Sequence, residues 1–201
     1  MTGAMKPAAW WMELSAALIR KLPRGRYVAM NALCNYPFSP FVARLRGSNT
    51  GVRFECDVRN GLVREAYFMG QYEPQETCLL RELLHPGDTF FDVGANWGYF
   101  TLLAAEQVGA GGRVVSIEAD PRIFAMLERN VALNPMPQVK PLHVAAADGP
   151  GTLKLAGYSD SEQNWGISRV VSHASGGRMF EVPRARWTRS PMRSGCLLCI
   201  C

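Results

Sequence analysis

The sequence has no apolar run long enough to span a bilayer, which excludes a transmembrane helix by the ordinary length criterion. Its one leader-like stretch, AAWWMELSAALI (8–19), is short, carries Glu13 and is followed by no small-residue cleavage site, so no signal peptide is read. There is no internal repeat beyond βα units, no low-complexity tract and no DNA- or RNA-binding motif. Of six cysteines, three stand in the last six residues, CLLCIC, whose CxxC spacing has no second ligand pair, so neither a zinc nor a redox site is expected. Cys34, Cys56 and Cys78 lie far apart in apolar or strand-like surroundings and read as free buried thiols in a reducing compartment, which fits a cytoplasmic protein.

What is present suits a globular chain: 201 residues, 48% hydrophobic, enough for one domain or one domain with an appendage. The net charge of +5 hides an uneven distribution. Residues 1–50 hold seven bases and one acid, residues 51–183 eleven bases and sixteen acids, and residues 184–201 four arginines and no acid. The acidic middle argues against a nucleic-acid partner. The composition divides the chain into an N-terminal helical extension (1–50), a central α/β segment (51–183) and an unstructured tail (184–201).

Residues 7–22 read as a helix, with Pro7 at its first position and Trp10, Leu14, Leu18 and Leu22 on one stripe; Arg20, Lys21, Arg24 and Arg26 follow. Such a helix usually packs on its own domain or a partner; the alternative is contact of residues 8–26 with a membrane surface. VRFECDV (52–58) alternates Val52, Phe54, Cys56 and Val58 against Arg53, Glu55 and Asp57, a half-buried strand. EPQETCLLRELL (73–84) reads as a helix closed by HPGD. From there the pattern is regular. TFFDV is a strand, GYFTLLAAEQV a helix ended by GAGG, and RVVSIE a strand. Asp120 caps a helix with Pro121 in its first turn, NPMP breaks it, VKPLHVAAA holds a third strand, and GTLKLAG adds a short one. Strand, helix, strand, helix, strand at this spacing gives right-handed crossovers and a parallel sheet. Residues 156–178, rich in Gly and Ser, read as a long loop.

The chemistry sits in FDVGANWGYF (91–100). A strand, a Gly-rich turn and a helix start place a ligand at the carboxyl end of the sheet, over a helix N-terminus. Gly94 and Gly98 let the backbone turn sharply, and Glu118, at the end of the next strand, can grip ribose hydroxyls. The dinucleotide fingerprint is not met, because Asn96 stands where its second glycine would be. Asp92 discriminates further. A carboxylate repels pyrophosphate but favours a ligand with an ammonium and a sulfonium, and S-adenosylmethionine is such a ligand. The helix start at Trp97–Phe100 can face its α-carboxylate.

Residues 86–134, with the upstream YFMGQYEPQET and the later AAADGPGTLKL and NWGIS, resemble an FkbM-type methyltransferase, a branch of the class I S-adenosylmethionine-dependent enzymes. The resemblance is specific in D-x-G-A-N-x-G and N-x-x-L-N; Ala119 departs from the proline common after the ribose-binding acid. It implies a Rossmann-like fold and assigns Asp92, Gly94, Asn96 and Gly98 to the methionine end and Glu118 to the ribose. Adenine is expected near Ala146, Ala147 and Asp148, with Tyr72, Glu73 and Glu76 at the entrance. It implies O-methyl transfer to a hydroxyl of a sugar, polysaccharide or natural product, with no metal. No catalytic base is identified; His85, His143 and His173 read as structural. The resemblance stops at FEVP (180–183), where a further strand is expected, so the doubly wound sheet is expected to be incomplete and RARWTRSPMRSGCLLCIC to be out of frame. On that expectation the alternative function is an inactive fragment retaining only the cofactor-binding half.

Overall fold

The computed structural model describes residues 5–36, 38–156, 169–170, 179–186 and 197–200. Two helices, α1 (Trp10–Lys21) and α2 (Arg26–Cys34), lead into an antiparallel pair, β1 (Phe41–Arg44) and β2 (Arg53–Cys56), in which Phe41 faces Cys56. α3 (Gly61–Met69) and α4 (Pro74–Leu83) follow. Then come β3 (Thr89–Val93), α5 (Tyr99–Val108), β4 (Arg113–Glu118), α6 (Pro121–Ala132) and β5 (Val139–His143), the predicted alternation. β6 (Ala145–Ala147), β7 (Gly151–Ala156), β8 (Arg169–Val170), β9 (Met179–Arg186) and β10 (Leu197–Ile200) complete the described elements. Most of the expected loop at 156–178 lies outside the described residues.

The central sheet has the order β10–β3–β4–β5, with every pairing parallel. A second sheet, β6–β9–β7–β8, mixes parallel and antiparallel pairings. α5 is buried nearly all round, from Tyr99 through Ala105, because it is covered on the sheet side and again by its neighbours. α6 starts where predicted: the Asp120 side chain accepts from the backbone N–H groups of Arg122 and Ile123, and Pro121 needs no N–H there. The result is an α/β, Rossmann-like architecture.

Four expectations are revised. Pro7 does not open α1 but bridges to Val42. The N-terminal segment is not a separate helical extension: Met12, Ala16, Ile19, Met30 and Phe41 share one core with Phe54, Phe68, Leu102 and Val114. The strand at 52–58 is not half-buried, since Glu55 and Asp57 are 7% and 3% exposed; Arg129 bonds Glu55 at 2.6 Å and Arg59 bonds Asp57. The tail 184–201 is not wholly unstructured. Arg184–Arg186 pair with Ala145–Ala147, and Leu197–Ile200 run parallel to Thr89–Asp92. The open edge of β3 offers unpaired backbone groups, and a short apolar run satisfies them. Residues 187–196 lie outside the described residues.

Candidate functional site

The site lies at the carboxyl end of β3. Phe90 and Asp92 point to the same buried face, one into the core and the other to the edge of the turn. The turn is pinned to β4 by the N–H groups of Gly94 and Ala95, both donating to the carbonyl of Ile117 at 2.9 Å. Gly94 (φ 77°) has nothing within 4 Å of a built Cβ, so a ligand can come directly against its backbone. Asn96 takes φ 51° without being glycine, and its own Oδ1 accepts from the N–H of Trp97 at 2.8 Å. Gly98 serves packing instead: at φ 96°, a Cβ there would stand 2.7 Å from Leu127 Cδ1.

A cavity of 170 Å³ opens over this turn, lined by Tyr72, Glu73, Asp92, Gly94, Asn96 and Phe100, among others. Its far wall is the start of α4. Glu73 sits at φ 43°, and Tyr72 is fixed by its N–H to the Tyr99 hydroxyl (3.1 Å) and by its carbonyl, which accepts from Thr77 (2.8 Å). A larger hollow of 530 Å³, lined by Arg44, Arg53, Glu106, Gly109 and Asn134, lies at the other end of α5 and hence at the amino ends of the strands. Ligands of open parallel sheets bind at the carboxyl ends, so the smaller cavity is the candidate site.

Asp92 is 3% exposed. Its Oδ2 accepts from the Thr101 hydroxyl at 2.5 Å, and that hydroxyl lies 2.8 Å from the Ser116 hydroxyl. Burial pushes the Asp92 carboxyl up to about 6, against the hydrogen bonds from Thr101, and the charge of Glu118 adds to the rise. Glu118 is turned back onto its own loop. Oε2 accepts from the N–H of Asn96 (2.9 Å), and Oε1 from those of Ala119 and Asp120 (2.7 and 2.8 Å). Burial raises its pKa, and the three N–H groups oppose that rise.

The structure thus brings together Asp92, Gly94, Asn96, Tyr72 and Glu73, with Glu118 touching Asn96. It does not bring Ala147 and Asp148 to the cavity. Ala147 is in β6 of the second sheet, and Asp148 is 95% exposed, 3.7 Å from Arg184. Ala146 pairs with Ala185, and Glu76 lies in the first turn of α4. His85 is exposed, His143 stacks on Phe124 and bonds the Ala119 carbonyl (3.0 Å), and His173 lies outside the described residues. Cys78 is exposed, unlike Cys34 and Cys56, because it falls on the outer face of α4. Among the described residues no His/Cys/Asp/Glu group could hold a metal.

Sequence reasoning missed Thr101 and Ser116, and it noted Asn130 only as part of the N-x-x-L-N motif, without a role. Thr101 and Ser116 were visible as polar residues within otherwise apolar stretches. Asn130 is fully buried; it donates to the Trp97 carbonyl and accepts from the Glu55 N–H, both at 2.7 Å, tying the Gly-rich turn to β2. Asn134 brackets Arg53 in the same way, accepting from its N–H and donating to its carbonyl, both at 2.8 Å. The N-x-x-L-N motif is therefore a clamp on β2.

The donor set fits an amino-acid nucleoside: a buried carboxylate for an ammonium, a bare glycine turn, and an acid one strand over. The model of the protein-L-isoaspartate(D-aspartate) O-methyltransferase family matches residues 73–161. Protein-L-isoaspartate O-methyltransferase 2 of Arabidopsis thaliana is 44% identical over 57 residues, 27% of this chain and 18% of that protein. Arsenite methyltransferase of Halobacterium salinarum is 37% identical over 49 residues, 24% of this chain and 12% of that protein. The chain thus spans less than a fifth of the length of either relative. Among solved structures, the O-methyltransferase from Bacillus cereus in complex with SAH is similar at 25% identity and a TM-score of 0.33, over 36% of this chain and 34% of that one. The matched segment is similar to class I S-adenosylmethionine-dependent methyltransferases, and it lies on a Rossmann-like α/β fold. The cofactor consistent with them is S-adenosylmethionine.

Proposed function

We propose that the chain takes part in S-adenosylmethionine-dependent O-methyl transfer to a hydroxyl of a sugar, polysaccharide or natural product, as its FkbM-type resemblance implies. The observation that carries the methyltransferase reading is the buried Asp92 lining the cavity beside a glycine turn. Asp92 would hold the ammonium end, the start of α5 would face the carboxylate, and Glu118 would accept from the ribose hydroxyls. The bound cofactor supplies an electrophilic methyl group. The chain's contribution is to fix that group against an acceptor, so alignment provides much of the acceleration. The acidic balance of residues 51–183 supports a small-molecule or glycan acceptor over nucleic acid.

A second acceptor, the carboxyl of an isoaspartyl residue, is favoured by the family match over 73–161. Calorimetric titration with S-adenosylmethionine and, separately, NAD tests the cofactor; heat with NAD alone overturns it. Methyl-labelled cofactor, offered with hydroxyl acceptors or an isoaspartyl peptide, then tests the acceptor. An ether label survives mild alkali, whereas a methyl ester releases methanol. Binding without transfer to either would leave the chain a cofactor-binding half alone.

A further inference from the structure

α1 presents two faces. Met12, Ala16 and Ile19 are buried, at 2%, 0% and 7% exposure, and hold the helix on the domain. Trp10, Leu14 and Leu18 are 77%, 51% and 57% exposed, and Leu22 just beyond is 37% exposed. At 3.6 residues per turn these four fall within an arc of about 120°, on the side of the helix away from the buried face. Lys21 falls within the same arc. The stripe that the sequence led one to place against the domain is therefore turned outward, because Met12, Ala16 and Ile19 fill the contact with the core instead.

The charge around this ridge is predominantly basic. Lys6 is exposed before the helix, and Lys21, Arg24 and Arg26 are exposed at and beyond its end. Glu13 is the one acid in the first 50 residues. It is exposed on the side of α1 nearer Tyr67 of α3, whose phenol is pushed up by burial first and then by that carboxylate. On α2 the exposed Tyr27 hydroxyl donates to Glu65 at 2.7 Å.

We infer that this ridge docks on an anionic lipid surface. An exposed Trp and leucines reach the headgroup boundary, and bases at both ends meet the negative potential. A second copy fits less well. A two-fold pairing sets the same patch against itself, and in either direction Lys6, Lys21 and Arg24 would face like charges with only Glu13 to offset them.

The test is co-sedimentation of the whole chain with vesicles of phosphatidylcholine alone and of phosphatidylcholine mixed with phosphatidylglycerol. Binding is expected with the anionic vesicles, falling as salt rises. A Trp10→Ser, Leu14→Ser, Leu18→Ser variant should lose it. Lys21→Glu with Arg24→Glu, at exposed positions, should weaken it by about tenfold or more. Circular dichroism matching the parent shows that either variant is folded. Should the triple variant misfold, the charge variant alone decides. Absent binding, equal binding to both vesicles, or binding unchanged in the folded variants overturns the inference. So does a dimer in sedimentation equilibrium that the triple variant abolishes.

Discussion

Asp92 carries an opposition between stability and binding. Its carboxyl titrates at about 6 in the fold, against 3.8 for the ordinary group. Between those values the native state binds more protons than the unfolded one, so stability falls as pH rises through the window and is level above it. Asp92→Asn keeps an acceptor for Thr101 and removes the buried charge. It should therefore stabilise the unliganded protein at neutral pH by up to about 3 kcal/mol, the equivalent of two pKa units. The same variant should weaken S-adenosylmethionine by about 1.5–3 kcal/mol, the range of a charge-assisted hydrogen bond. Denaturant melts and calorimetry at neutral pH measure the two effects, and a variant that loses stability or binds normally removes Asp92 from this role. The parent's affinity should rise with pH up to about 6 and level off beyond. Glu118 behaves differently. Its carboxylate accepts from three backbone N–H groups, so Glu118→Gln sets an amide NH₂ against the N–H of Asn96 or those of Ala119 and Asp120. We expect that change to lower both melting temperature and affinity; an unperturbed melt with intact binding would show that the loop does not depend on the carboxylate.

At the scale of elements, Asn130 joins three of them: it lies in α6, grips the turn before α5, and accepts from β2. Asn130→Ala leaves the Trp97 carbonyl and the Glu55 N–H unpaired in the interior and should cost about 2–6 kcal/mol, taking each orphaned group at about 1–3. Asn130→Asp should cost at least as much, because a carboxylate oxygen would face the Trp97 carbonyl. Urea unfolding of the two variants checks both, and a loss below about 0.5 kcal/mol would mean that water replaces the clamp. The elements around this clamp were those most legible in the sequence. β3, α5, β4, α6 and β5 each announce themselves through a short apolar run, a Gly-rich stop or an Asp-Pro start, signals local to the chain. α2 and α3 went unread because Arg26–Cys34 carries no capping side chain and Gly61–Met69 opens on glycine; its cap, Asn60, is a single buried side chain accepting from Leu62 and Val63. β7 of the second sheet was read as a short strand, but the pairing of that sheet was illegible for another reason. Pairing of Ala145–Ala147 with Arg184–Arg186 joins segments far apart in sequence, and three alanines do not name their partner. The site followed the same division. Asp92, Gly94, Asn96 and Glu118 are local to one βαβ unit, so their grouping at one turn was readable, whereas Gly98 packs on Leu127 and does not line the cavity. Ala147 and Asp148 were assigned by analogy alone, and the structure holds them away from the cavity.

Among the described residues one large apolar cluster joins residues 1–50 to the central sheet, and that cluster decides what residues 1–50 are. Charge and composition set them apart as an extension, but burial joins them to the rest. β1 completes a hairpin with β2, and Phe41 stacks edge-on against Tyr67 with ring centroids 5.3 Å apart. Arg20 donates to the Tyr67 carbonyl at 3.0 Å. Removing residues 1–50 would uncover Phe54, Tyr67 and Phe68 and withdraw Met12, Ile19, Met30, Phe41 and Leu45 from the core. At about 1.5–3 kcal/mol for each large apolar side chain, that loss is on the scale of a domain's entire stability, about 5–15 kcal/mol. β2 would become an open edge beside exposed aromatic surface, the usual setting for aggregation. We therefore expect residues 51–201 expressed alone to be insoluble or to lack a cooperative unfolding transition, and to show no heat with S-adenosylmethionine. The full chain should unfold in one transition that residues 1–50 share, seen by hydrogen exchange as equal protection of Ala16 and Leu102 amides. A soluble 51–201 fragment that melts cooperatively and binds the cofactor as the full chain does would make the N-terminal segment a separable appendage after all.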